Sequence, residues 1–232
     1  MMGHAGVTPV QCRSRPLSLF KEWRNVAGWG LMLCVLFLSP GCTTPIHKRT
    51  AVSTIVIEPM TGTVEAKPAA FRLIGRVSVT GGKDSFSGGV QWHHVDTSDE
   101  ILLLSPLGQA VAQIQRNPEG VYLTTSEQET FYAFDVETLT ERVLGWRLPL
   151  MGLQYWVQSV NSPATVAEVD RDIDGTIVAM RQDGWEISYL SHFPVPETQT
   201  KQAQAARPKL LMLKRPGLQI KLMVDSWNPG NQ

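Results

Sequence analysis

Residues 71–92 read FRLIGRVSVTGGKDSFSGGVQW, and their apolar positions alternate. Phe71, Leu73, Val77 and Val79 share one parity, and Phe86, Val90 and Trp92 share one beyond the Gly81-Gly82 pair. A period of two places such side chains on a single face of an extended strand, so the stretch predicts two half-buried strands joined by a turn. Gly81-Gly82 and Gly88-Gly89 suit a hairpin and a bulge rather than a phosphate loop.

Working outward, the pattern repeats. Short apolar segments follow at residues 101–104, 110–114, 121–123 and 131–134, Trp185, Ile187 and Tyr189 alternate, and KLLMLKR and LQIKLMVD are joined by Pro216-Gly217. Asp174-Gly175 and Asp183-Gly184 are turn signals. Helix is expected only in the middle. Asp135 is a candidate N-cap for VETLTERVLGW, where Val136, Leu139, Val143 and Leu144 form an apolar stripe and Gly145 is placed to stop it. Pro149 opens a second short pattern through Leu150, Leu153, Trp156 and Val157. Many strands in succession, no βαβ alternation and no internal repeat predict one antiparallel domain, a curled sheet or barrel with a helical insert. Periodicity leaves open whether its interior is filled or hollow.

The N-terminal residues are of another kind. Arg13, Arg15, Lys21 and Arg24 stand against Glu22 alone, and an uncharged run of thirteen residues, VAGWGLMLCVLFL, follows at 26–38. As a helix it would reach about 20 Å, short of the ~30 Å hydrocarbon core, so it reads as a secretory apolar region rather than a permanent span. Ser39, Pro40, Gly41 and Cys42 come next. The junction resembles a bacterial lipobox with Cys42 as the lipidated first mature residue, although Leu38 stands four residues before it where three is usual. An ordinarily cleaved or membrane-retained leader with an incidental cysteine is the competing reading. The expected organisation is a signal peptide at 1–41, a lipid-anchored tether at 42–70 with one β-prone stretch at 54–57, the β domain at 71–228 and a tail at 229–232.

Composition narrows the function. The 232 residues are 43% hydrophobic and 18% charged, with 21 basic and 21 acidic side chains, so the basic field that nucleic acid binding usually needs is missing. Without the leader, 17 basic and 20 acidic residues leave a net charge of −3. The three cysteines, Cys12, Cys34 and Cys42, all precede the domain, which excludes a disulfide framework or Cys-ligated zinc there. Asp170, Asp172, Asp174 and Gly175 copy the opening of a calcium loop, but the twelfth position is Arg181 instead of Glu, so an acidic strand end feeding a turn is the better reading. His93 and His94 point to opposite faces of a strand and cannot share a metal ion, and nothing places His192 beside either. No G-x-S-x-G, HExxH, P-loop or GxGxxG occurs.

One stretch is unusual for a turn. In ILLLSPLGQAVAQI, residues 101–114, Pro106 and Gly108 enclose Leu107 where a polar residue is expected. A large apolar side chain held in water marks a contact site, unless it folds back into the core.

The Gly-Cys junction, FRLIGRVSV, SGGVQWHH, LLLSPLGQAVAQI, EGVYLT, VLGWRLPL, LQYWV, DGWEISY and LQIKLMVDSW, in this order, resemble the outer-membrane lipoprotein receptor family LolB. The segment 43–70 lacks the helix this family usually carries before the first strand. The resemblance implies an incompletely closed barrel of about eleven antiparallel strands, capped by helices around a hydrophobic cavity. It implies a monomer facing the periplasm, without cofactor, that takes the acyl chains of lipoproteins from the carrier LolA and inserts the lipoprotein into the inner leaflet of the outer membrane. Thr43, where an inner-membrane retention signal would place Asp, fits that destination. Cys42 is then the anchor and Leu107 the membrane-insertion tip. Apolar facing and helix placement nominate Phe86, Val90, Trp92, Leu103, Trp146, Leu153 and Trp156 as cavity lining. A lipid-anchored envelope scaffold or sensing module, and a lipoprotein hydrolase, are the alternatives.

Mass spectrometry of the membrane form should find an acylated Cys42 at the N-terminus. An intact leader or another terminus would contradict the lipobox.

Overall fold

The computed structural model describes residues 49–60, 67–194 and 207–229; Cys42 and the leader lie outside them. β1 is Ser53–Ile57, β2 Phe71–Gly81, β3 Phe86–Val95, β4 Ser98–Leu104, β5 Ala110–Asn117, β6 Gly120–Thr125 and β7 Thr130–Ala133. Two helices follow, α1 Val136–Leu144 and α2 Leu150–Trp156. The remaining strands are β8 Ala167–Arg171, β9 Ile177–Gln182, β10 Trp185–His192, β11 Pro208–Arg215 and β12 Leu218–Pro229.

All twelve form one sheet in the order β1-β8-β9-β10-β11-β12-β2-β3-β4-β5-β6-β7. β2–β7 and β8–β12 are local meanders, and β12 joins them by running antiparallel to β2, Leu218 opposite Gly81 and Trp227 opposite Leu73. β1 and β7 are the two ends of the order and do not pair with each other, so the sheet is open.

The sheet is also curled, and α2 proves it. Gln154 bonds to Asp99 on β4, while Trp156, two residues on, bonds to Gln182 on β9 and accepts from Tyr189 on β10. At a spacing of about 4.8 Å per strand, β9 and β4 would lie roughly 29 Å apart in a flat sheet. One short helix reaches both because the sheet wraps around it. The wrapped face carries the core: Leu73, Val79, Ile114, Leu123, Ile187, Leu211 and Leu213 are all fully buried.

The sheet has twelve strands where the resemblance implied about eleven, and the β-prone stretch at 54–57 is part of a strand, Ser53–Ile57, paired with β8, Ile55 opposite Val169. Thr54 Oγ1 also donates to Asp170 Oδ1 at 2.7 Å. As an edge strand β1 is exposed nearly throughout, so it shows none of the alternation by which a half-buried strand is recognised.

The α1 caps are as the sequence implies. Asp135 accepts the Thr138 N–H at 2.7 Å, and Gly145 takes the left-handed conformation at φ 79° while its N–H reaches Glu141 O. The Gly145 carbonyl accepts from Lys83 N–H at 2.9 Å, which ties the β2–β3 turn to the end of the helix.

At Gly88 the Leu104 carbonyl occupies the space that a Cβ would need, with the Phe86 ring beside it. Gly88→Ala should therefore force backbone to move, at a cost of about 1–3 kcal/mol. A thermal melt should show a midpoint lower by roughly 2–12 °C for a domain of this size.

Candidate functional site

The buried face of β2, β3, β4 and β12 is the floor of an apolar cavity, supplied by Leu73, Val77, Val90, Trp92, Ile101, Leu103, Ile220 and Leu222. Its roof is Trp146 and Leu148 from the link between the helices, and Leu153 from α2. The cavity measures about 40 Å³. Ligand pockets run to ~300–1,000 Å³, so in this conformation the cavity is far too small for an acyl chain.

Of the seven residues nominated from sequence, Val90, Trp92, Leu103, Trp146 and Leu153 meet around this cavity. Phe86 and Trp156 do not. Phe86 pairs with Val79 at the turn end of β3 and is half-buried against the core. Trp156 is buried, but its indole points toward β9, donating to Gln182 Oε1 at 2.8 Å and lying 6.5 Å from the Trp185 ring. Gly152 permits this, since a Cβ there would strike the Trp156 ring.

A polar cluster beside the cavity fastens the roof. Asp99 on β4 is buried, and its Oδ1 accepts from Trp92 Nε1 at 2.9 Å and from His94 Nδ1 at 2.8 Å. Its Oδ2 accepts from Arg116 Nε at 2.7 Å and from Gln154 Nε2 of α2 at 2.6 Å. Burial pushes the Asp99 carboxyl up, but the hydrogen bonds from His94, Trp92 and Arg116, with the arginine charge, outweigh it and hold the group below the usual carboxylate range. A carboxylate only accepts, so His94 carries its proton on Nδ1. Its Nε2 has no hydrogen-bond partner among the described residues. Two further bonds hold the end of α2: Gln158 Nε2 donates to Ala69 O at 3.1 Å, and the Tyr189 hydroxyl, its pKa raised by burial, donates to Trp156 O at 2.9 Å.

Sequence reasoning missed Asp99. A signal was present: Asp99 has the parity of Ile101 and Leu103 on β4, and His94 that of Trp92 on β3, so a charge in an apolar register faced a histidine in another. His93 has the opposite parity and faces outward. The aspartates at 170–174 also have structural partners. Asp170 is gripped by both Arg181 guanidinium nitrogens at 2.9 Å, and Asp172 Oδ1 accepts the N–H groups of Asp174 and Thr176.

At the β4–β5 connection the loop closes on itself. Ser105 N–H reaches Gln109 O at 2.8 Å, Gly108 N–H reaches Ser105 O at 2.9 Å, and Gly108 has φ +81°. With its backbone satisfied inside the turn, Leu107 is 87% exposed.

A curled antiparallel sheet around an apolar interior, roofed by two helices, defines a protein built to house apolar groups. A family model described as outer membrane lipoprotein LolB matches residues 69–227. Outer-membrane lipoprotein LolB of Nitrosomonas europaea is 41% identical over 84% of this chain and 90% of its own length, and that of Thiobacillus denitrificans is 42% identical over 68% and 80%. The chain belongs to the LolB family, and its function is that of an outer-membrane lipoprotein receptor. Among solved structures, a LolA superfamily protein of Nitrosomonas europaea is similar at TM-score 0.38 and 9% identity, over 71% of this chain and 88% of its own.

Asp99→Ala should leave Arg116, Trp92 and Gln154 without their acceptor and cost about 3–5 kcal/mol at neutral pH. Because the folded carboxyl titrates below its unfolded value of about 3.9, its contribution is present above that pH and is lost as pH falls through the folded value. Denaturant melts of both proteins should show the gap between them narrowing below about pH 4.

Proposed function

We propose that the protein receives the acyl chains of lipoproteins from the periplasmic carrier LolA into the space between the helices and the curled sheet, and releases them into the inner leaflet of the outer membrane. The observation that carries this reading is the wholly apolar set of side chains facing the 40 Å³ cavity under the helical roof. Transfer of this kind requires no bond to be made or broken, and one copy of the chain suffices.

The magnitudes favour opening by cargo. About fifteen buried methylenes at ~0.8 kcal/mol each would contribute on the order of 12 kcal/mol. The Gln154–Asp99 bond, a hydrogen bond to a charged group, is worth about 1.5–3 kcal/mol net. With the Trp156–Gln182 and Tyr189–Trp156 bonds added at about 0.5–1.5 kcal/mol each, an entering chain still offsets the side-chain bonds that hold α2, and Val90, Trp92, Leu103, Trp146 and Leu153 become its first contacts. On release, the acyl chains return to bilayer hydrocarbon and the roof closes.

Leu107 is the membrane-insertion tip in this scheme, with Pro106 and Gly108 fixing its direction, and Cys42 is the anchor. A charge at the tip would oppose entry into the apolar layer by about 2–4 kcal/mol at the midplane and less near the surface. A two-step assay tests this, from loaded carrier to the protein and from the protein to liposomes. Leu107→Glu should keep its melting temperature and accept lipoprotein, yet deliver it poorly. Normal delivery would remove the insertion role, and a large fall in melting temperature would mean that Leu107 belongs to the core.

A further inference from the structure

Ile173 is, after Leu107 and the 85% exposed Phe134, a third large apolar side chain held in water, 83% exposed at the apex of the β8–β9 turn. The turn is locked. Asp172 N–H reaches Thr176 O and Gly175 N–H reaches Asp172 O, both at 3.0 Å, Asp172 Oδ1 accepts from Asp174 and Thr176, and Arg171 Nη1 braces Gly175 O at 2.7 Å. Ile173 cannot fold back against the sheet without breaking these bonds.

The chain also arrives at this turn from its N-terminal side. Arg49 Nη1 donates to Asp172 Oδ2 at 2.6 Å and lies 3.7 Å from Asp174 Oδ2, and Val52 N–H reaches Arg171 O at 2.8 Å before β1 begins. Cys42 precedes Arg49 by seven residues. Fully extended, they span at most about 25 Å, which is the longest leash between an acylated Cys42 and the turn. Released from β8, the chain from Cys42 to Phe71 would reach several times farther.

Alternating strand direction across the sheet order puts the β8–β9 turn at the opposite strand end from the Leu107 loop. The two exposed apolar tips are therefore separate features. Around Ile173, Arg49 and Arg171 balance Asp172 and Asp174, so no net charge opposes an anionic headgroup layer.

We propose that the β8–β9 turn is a second membrane-contact site, at which Ile173 seats the anchored end of the domain on the bilayer. The inference rests on acylation of Cys42. One isoleucine binds a membrane weakly by itself, but a leash of this length raises its effective concentration at the surface. The ion pair of Arg49 with Asp172 keeps the leash short.

The mature chain has no cysteine beyond Cys42, so single labels can be placed in the lipidated protein. Ile173→Cys, Leu107→Cys and, on the exposed outer face of β12, Lys221→Cys would each carry an environment-sensitive fluorophore. They would be reconstituted in phosphatidylethanolamine/phosphatidylglycerol vesicles containing a nitroxide lipid. Position 173 should shift to the blue and be quenched at least about twofold more strongly than position 221, as expected for a group at the headgroup boundary. Emission at 173 matching that at 221, in protein whose acylation is verified by mass, would overturn the proposal while leaving the anchor intact. A change at 173 that requires added carrier would overturn it in favour of a protein contact. A mass without acyl chains would remove the anchor itself, and the inference with it.

Discussion

Burying a carboxylate is unfavourable by several kcal/mol unless its lone pairs are met, and at Asp99 they are met by four donors from three different elements. Trp92 and His94 come from β3, Arg116 from β5 and Gln154 from α2, while Asp99 itself is on β4. Loss of any one donor leaves part of a buried charge uncompensated, so these elements hold their relative positions as a set. The apolar interior has its shape because this polar group beside it fixes the distance between roof and floor. Trp92 belongs to both systems, its ring facing the cavity and its N–H committed to the carboxylate.

The roof is held in two different ways. α1 is fastened to the sheet rim through backbone, by Gly145 to Lys83, and through Arg142 to the Tyr132 carbonyl. α2 is fastened mainly by long amide side chains, Gln154 and Gln158, and by the Trp156 pair. Side-chain bonds reform on rotamer timescales after breaking, whereas a disrupted backbone cap unwinds a helix end.

Most of the fold was legible because it follows from residue period. The strands from Phe71 onward, the Asp135 and Gly145 caps of α1 and the exposed apolar tip at Leu107 each follow from a local rule that the three-dimensional context reinforces. What was not legible depends on neighbours. β1 is a strand because β8 offers it an edge, and Ser53–Ile57 carries no buried parity to announce it. Trp156 lies on the apolar stripe of its helix, as read, but a stripe says which side is buried and not which strand lies under it. Phe86 shares the inward parity of Trp92, yet it packs at the turn end of β3 and is not part of the cavity lining. Asp99 violates the pattern around it, and only the arrival of Gln154, 55 residues later, makes the violation intelligible.

The pairing of β12 with β2 bears on how the chain acquires its structure. The β2–β7 meander leaves any secretion channel first and can assemble from neighbouring hairpins, but its apolar face has no second wall until the final strand is in place. Leu218 meets Gly81 across 137 positions of sequence, a contact with high loop-closure entropy. Until that contact forms, the apolar face of the β2–β7 meander lacks its second wall. An exposed apolar face of this kind is where an incompletely folded chain aggregates, and β12 covers it by zipping the two halves together.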